Sequence, residues 1–165
     1  MALGRTHDLI NLAAFGPIVY YLQPTDFVSF TVGYMVGTFL LSPDNDIYHS
    51  SVNKRWKILK FLWYPYTKLF SHRGISHIPF YGTLTKLVYL GVIFLVLLFI
   101  LKFILMKFGD TAFSSYLSLI DFDWYIITNP IVISFFVGLL IAEVIHIFTD
   151  IIYSALKPKK RKKRK

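Results

Sequence analysis

The chain reads as an all-α protein, a helical membrane bundle of about four helices. Three observations point there. Of its 165 residues, 55% are hydrophobic and 18% aromatic, while 16% are charged, below the roughly one quarter typical of soluble domains. Four apolar stretches follow one another along the chain. Lys and Arg gather in the segment between the second and third stretches and at the C-terminal end.

The elements follow in order. "LINLAAFGPIVYYL" (9–22) and "FVSFTVGYMVGTFLL" (27–41) run 14 and 15 residues, joined by "QPTD". Helices this short suit either a core or a thin span, and the tight link through Pro24 makes them antiparallel neighbours. Leu87 to Met106 is 20 residues interrupted by Lys102 alone, matching the ~20 residues that cross a hydrocarbon core. Pro130 to Leu156 is apolar up to Ala142 and then carries Glu143, His146 and Asp150. Asn129 suits the cap of that helix and Pro130 its first turn. Between the second and third helices, "RWKILKFLWYPYTK" reads as an amphipathic interfacial segment with aromatic anchors.

This length fits one domain, here residues 1–156, followed by a basic tail, 157–165, expected to lack fixed structure. The net charge of +9 is concentrated in that tail, because eight of the 18 basic residues lie in "KPKKRKKRK". The remainder is nearly balanced, which argues against nucleic acid as a partner and for the lipid bilayer, with anionic headgroups at the tail. The second loop holds Lys54, Arg55, Lys57, Lys60, Lys68 and Arg73; the third sets Lys107 against Asp110, Asp121 and Asp123. The positive-inside rule then expects an integral protein of the inner (plasma) membrane, with both termini and the basic loop in the cytoplasm.

On that topology the ligand-type residues converge. His7 lies at the inner end of the first helix, Asp44 and Asp46 follow the second, His72 and His77 precede the third, and His146 and Asp150 end the fourth. The topology came from hydropathy and Lys/Arg counts, so this agreement was not built in. In "EVIHIFTD", Glu143, His146 and Asp150 are spaced three and four apart and share one helical stripe. An ionisable group at mid-span costs roughly 2.5–3.5 kcal/mol on insertion scales and faces a partner or a cavity. A metal site at one membrane face satisfies all of these residues together. In "SPDNDIYH", one aspartate suits a metal and the other suits orienting a histidine. Gly74 allows a bend bringing His72 and His77 inward, and Ser76 suits a cap on the third helix. His49 reads as an ordinary interfacial residue.

With no cysteine, the ligands are nitrogen and oxygen, which suits zinc, manganese, iron or nickel. The number of candidates leaves room for one or two divalent ions. In a catalytic reading, Glu143 accepts a proton and Arg73 holds an anionic leaving oxygen. The substrate would be a phosphoester or another small or lipid-like molecule. Non-catalytic metal binding, metal transport and a purely structural His/Asp pairing are the alternatives. Transport ranks lower, because no line of polar residues continues across the bilayer.

"GRTHDLI", "SPDNDIYHSSVNKRW", "LWYPYTKLFSHRGISH" and "EVIHIFTD" together resemble an uncharacterised, DUF2227-like family of bacterial and archaeal metal-binding membrane proteins. That family is similar in turn to YdjM-type membrane-bound metal-dependent hydrolases, and looks like a distant relative of zinc-dependent phospholipase C. The likeness spans residues 4 to about 150. It implies metal ligation by His7, an aspartate of the Asp44/Asp46 pair, His72, His77, His146 and Asp150.

Overall fold

The structure is a computed structural model that describes residues 4–70, 74–107 and 125–156. The described residues form seven α-helices rather than about four. Helix α1 is Gly4–Leu22, α2 Phe27–Phe39, α3 Ser51–Arg55, α4 Trp63–Leu69, α5 Tyr81–Lys107, α6 Tyr125–Thr128 and α7 Pro130–Leu156. The four long helices occupy the four apolar stretches. The surplus comes from short pieces, chiefly the aromatic, lysine-rich segment after α2, which breaks into α3, a 3₁₀ turn (Lys57–Leu62) and α4. Two more 3₁₀ turns, Pro43–Asp46 and Ile75–His77, carry site residues. The expected tail, 157–165, and the acidic residues Asp110, Asp121 and Asp123 lie outside the described residues.

Local chemistry sets the helix ends. Gln23, with φ 47°, closes α1 in the left-handed region and donates its N–H to Val19 O at 3.0 Å, as a C-terminal cap does. Asp26 opens α2 by accepting from Ser29 N at 2.7 Å. Asn129 opens α7 by accepting from Ile131 N at 2.9 Å, with Pro130 in the first turn as its sequence suggests.

The tightest seam is α2 on α7, and glycine makes it possible. A Cβ on Gly33 would sit 1.9 Å from Phe135 O, and one on Gly138 2.2 Å from Phe30 O. Gly37 faces Leu139 O in the same way, at 2.9 Å. Gly33 and Gly37 are four apart on one face, the small-residue spacing that lets membrane helices approach backbone to backbone. Phe30, Tyr34 and Ala142 fill the core beside this seam, with Phe15, Ile18 and Ile141 around them. A second cluster, Leu41, Trp63, Tyr66 and Leu139, binds α4 to the same pair.

Helix α5 behaves differently. Its buried residues, Gly82, Thr83 and Lys86, all lie in its first two turns. Beyond them Phe94, Leu95, Phe99 and Phe103 are exposed. A helix of 27 residues is about 40 Å long at 1.5 Å per residue. Helices α5 and α7 are long and apolar enough to cross a membrane. Helix α2, with 13 residues, reaches about 20 Å, short of the ~30 Å hydrocarbon core; it is a core helix by length.

Candidate metal centre

Four elements meet at one end of α7. The first turn of α1 brings His7, and the turn after α2 brings Asp44 and Asp46. The turn before α5 brings His77, and α7 itself brings His146 and Asp150 one helical turn apart. Asp44, His77, His146 and Asp150 each offer a ligand atom, and these atoms lie within 4.8 Å of one another. His7 Nε2 is 3.4 Å from Asp150 Oδ1, and its ring stacks on that of His146. Asp44, Asp150, His7 and His146 are all less than 10% exposed.

Six polar atoms of this cluster make no hydrogen bond within the protein. Both ring nitrogens of His7, Asp44 Oδ1, His146 Nε2 and both oxygens of Asp150 are buried without a hydrogen bond in the protein. Each such atom costs about 1–3 kcal/mol, more when charged. Six in one place is the signature of groups that await a common partner. Nitrogen and carboxylate oxygen donors fit a divalent transition metal.

The remaining polar contacts hold the ligands in position. His146 Nδ1 is 3.4 Å from Ser42 Oγ, which directs Nε2 towards Asp44 Oδ1 at 3.6 Å. His77 Nδ1 is 3.4 Å from Asp46 Oδ2, and Ser76 Oγ donates to that same oxygen at 2.6 Å. His77 Nε2 then faces Asp150 Oδ2 at 3.9 Å. Anchoring one ring nitrogen so that the other meets the ion is how histidine ligands are oriented. The two aspartates therefore differ in role. In a 3₁₀ turn of three residues per turn, positions two apart point in different directions, so Asp44 faces the cluster and Asp46 faces the Ser76–His77 turn. Below, the Asn45 and Asn53 side chains lock that turn to α3, with Asn45 Nδ2 donating to Asn53 Oδ1 at 2.8 Å.

The electrostatics favour the ligand forms. Burial pushes the Asp44 carboxyl up, but His146, through contact and charge, with His7 and His77 behind it, outweighs this and leaves it below its ordinary value. Burial holds the His7 imidazole below its ordinary value, aided by His146 and opposed by Asp150, Asp44 and Asp8. An ionised carboxylate and a neutral imidazole are the states that bind metal.

Other expected residues fall elsewhere. Glu143 is buried outside the four-residue group. Its Oε1 is 3.0 Å from Lys86 Nζ, and its Oε2 accepts from Thr83 N at 3.1 Å and from Thr83 Oγ1. Both oxygens are thus committed to the start of α5, an ion pair bracing two helices in place of the expected proton acceptor. Ser76 points to Asp46 and does not cap α5. His49 is exposed and sits edge-on to Tyr48. Asp8 makes a two-pronged pair with Arg55. His72 and Arg73 lie outside the described residues.

Lys86 and Ser42 are residues that sequence reasoning missed, and Ser76, expected as a helix cap, holds Asp46 instead. A signal existed for the first: opposite charges on two apolar helices seek one another. For the two serines the sequence offers only turn chemistry.

A family model described as "Uncharacterized metal-binding protein (DUF2227)" matches residues 2–160. An uncharacterized protein of Aquifex aeolicus (strain VF5) is 42% identical over 142 residues, covering 82% of this chain and 98% of that protein. No solved structure matches. Neither match is described as a hydrolase, so the likeness to YdjM-type hydrolases gains no support from them.

Proposed function

Because the chain belongs to this family of uncharacterized metal-binding proteins, we propose that it holds a divalent metal ion at the end of α7, beside the membrane surface. Asp44, His77, His146 and Asp150 are the ligands, with His7 as a fifth. One observation carries this reading: ligand atoms of Asp44, His146 and Asp150 that are buried without a hydrogen bond converge with His77 from separate elements in a single place. A mixed imidazole and carboxylate set suits zinc first, then manganese, iron or nickel. The basic segment 54–73 supports, by the positive-inside rule, an orientation with this end of α7 on the cytoplasmic side of the plasma membrane.

The finer proposal is metal-dependent hydrolysis of a phosphoester or lipid-like substrate. A bound divalent ion supplies Lewis acidity and lowers the pKa of a bound water towards about 7. The protein's own part is to fix the ligand atoms through Ser42, Asp46 and Ser76 and to keep the ligands dry. A non-catalytic metal-binding role is favoured by one specific observation, the commitment of Glu143 to Lys86 and Thr83. That contact leaves the expected proton acceptor engaged.

The test is the metal content of the full-length protein purified in detergent, wild type against His146→Ala and Asp150→Asn, with a phosphodiesterase and lipid-hydrolysis screen on the same samples. Near-stoichiometric metal in the wild type and its loss in both variants are expected. A folded wild type that takes up no zinc, manganese, iron or nickel would end the proposal.

A further inference from the structure

The cluster is enclosed on the α1 and α2 side, but His77 and Asp150 also line an open cavity of about 340 Å³ with Ile147, Ile151 and Ser154. Ile147 and Ile151 are one turn apart on α7, so they form a continuous aliphatic wall. Ile147 is 9% exposed and Ile151 60%. The cavity therefore starts at the cluster and opens outward along an apolar helix surface.

We propose that this cavity binds a single-chain amphiphile with a phosphate head, its head at the cluster and its alkyl chain along Ile147 and Ile151. A wholly polar ligand would leave the aliphatic wall facing water or lipid unfilled. A wholly apolar one would bring no polar group to the end of the cavity where His77, Asp150 and Ser154 lie. A phosphate head meets a carboxylate only across a cation, so the inference rests on the metal reading above. The volume decides the number of chains. It lies at the lower end of the roughly 300–1,000 Å³ usual for ligand sites, enough for a head and a few methylenes of one chain, with the rest passing out over Ile151.

Cobalt-loaded full-length protein in phosphatidylcholine nanodiscs provides the test, since the visible spectrum of cobalt responds to a ligand at the ion and not to partition into lipid. The probes are inorganic phosphate, butyl phosphate and octyl phosphate, with octyl glucoside as a chain without an anionic head. Each methylene that becomes buried strengthens binding about fourfold, so octyl phosphate is expected to act at a concentration at least tenfold below butyl phosphate, and octyl glucoside not at all. Ile151→Trp, at an exposed position, is expected to retain cobalt and to lose the chain-length gain. Equal action of phosphate and octyl phosphate, or a chain-length gain that survives in Ile151→Trp, overturns the inference while the metal reading stands. A protein that takes up no cobalt overturns both.

Discussion

The imidazole of His7 lies face to face on that of His146, with ring centroids 3.9 Å apart and planes 16° from parallel. Two imidazoles at this separation repel if both are protonated, and His146 accordingly works against protonation of His7. Nearly 140 residues of chain separate them in sequence, and the contact exists because α1 and α7 lie side by side against α2.

This pairing makes stability of the metal-free protein fall with acid. The His7 pKa is held below its ordinary 6.5 by burial and by His146. The unfolded chain therefore binds its proton first as pH drops. The resulting stability is full above about 6.5 and is lost as pH falls from there through the folded-state value. Melting of the EDTA-treated protein at pH 7.5 and 5.5 is expected to show a clear decrease at the lower pH, and a smaller one in His7→Gln. Identical pH responses in the two proteins would refute the assignment.

The two aspartates should separate in a metal titration. Asp44→Asn removes a ligand oxygen and is expected to abolish stoichiometric binding. Asp46→Asn or Ser76→Ala leaves the ligands in place and loosens His77, and such outer contacts are worth about 10–100-fold in affinity. Competition with a chelator of known strength measures both. If Asp46→Asn emptied the site and Asp44→Asn did not, the roles would be reversed.

The Lys86–Glu143 pair predicts a double-mutant result. Removing one partner of a buried pair costs about 3–5 kcal/mol, whereas replacing both by apolar residues is often neutral. Glu143→Leu and Lys86→Met should each lower stability by that order in detergent denaturation, and the double variant should recover most of it. The double variant should also keep its metal, because Glu143 stands outside the ligand group. Loss of metal there would return Glu143 to the site.

At the α2–α7 seam, Gly33→Ala should be severe for so small a change. Its new methyl meets Phe135 O at a distance no atom pair tolerates, so the helices must separate. Overpacking of this kind costs about 1–3 kcal/mol, occasionally more. Gly16→Ala, where the space is open, serves as the control, and thermal unfolding in one detergent compares them.

Much of the cluster that the structure brings together was legible in the sequence because its residues are costly in apolar surroundings. His146 and Asp150 declared themselves by interrupting an apolar helix, and His77 and Asp44 by their place at helix ends near the same face. The long helices were legible from hydropathy, and the α7 cap from Asn129 and Pro130. What stayed hidden depends on direction. Nothing in "SPDND" says that Asp44 turns to His146 while Asp46 turns to Ser76, since that follows from a 3₁₀ turn. Glu143 shares a stripe with His146 and Asp150, yet Lys86 draws it away, and only the juxtaposition of α5 reveals this. The extra short helices escaped because, at four to seven residues each, they are too short to carry a sustained period.

The glycines of α2 and α7 have one more effect. Asp44 stands on the turn leaving α2 and His146 on α7, and at Gly33 and Gly138 these helices touch main chain to main chain. Polypeptide backbone, which cannot swap rotamers or shrink, thus acts as a gauge block between the two. The spacing of Asp44 from His146 is inherited from that block, so wholesale exchange of neighbouring aliphatic side chains should leave it unaltered.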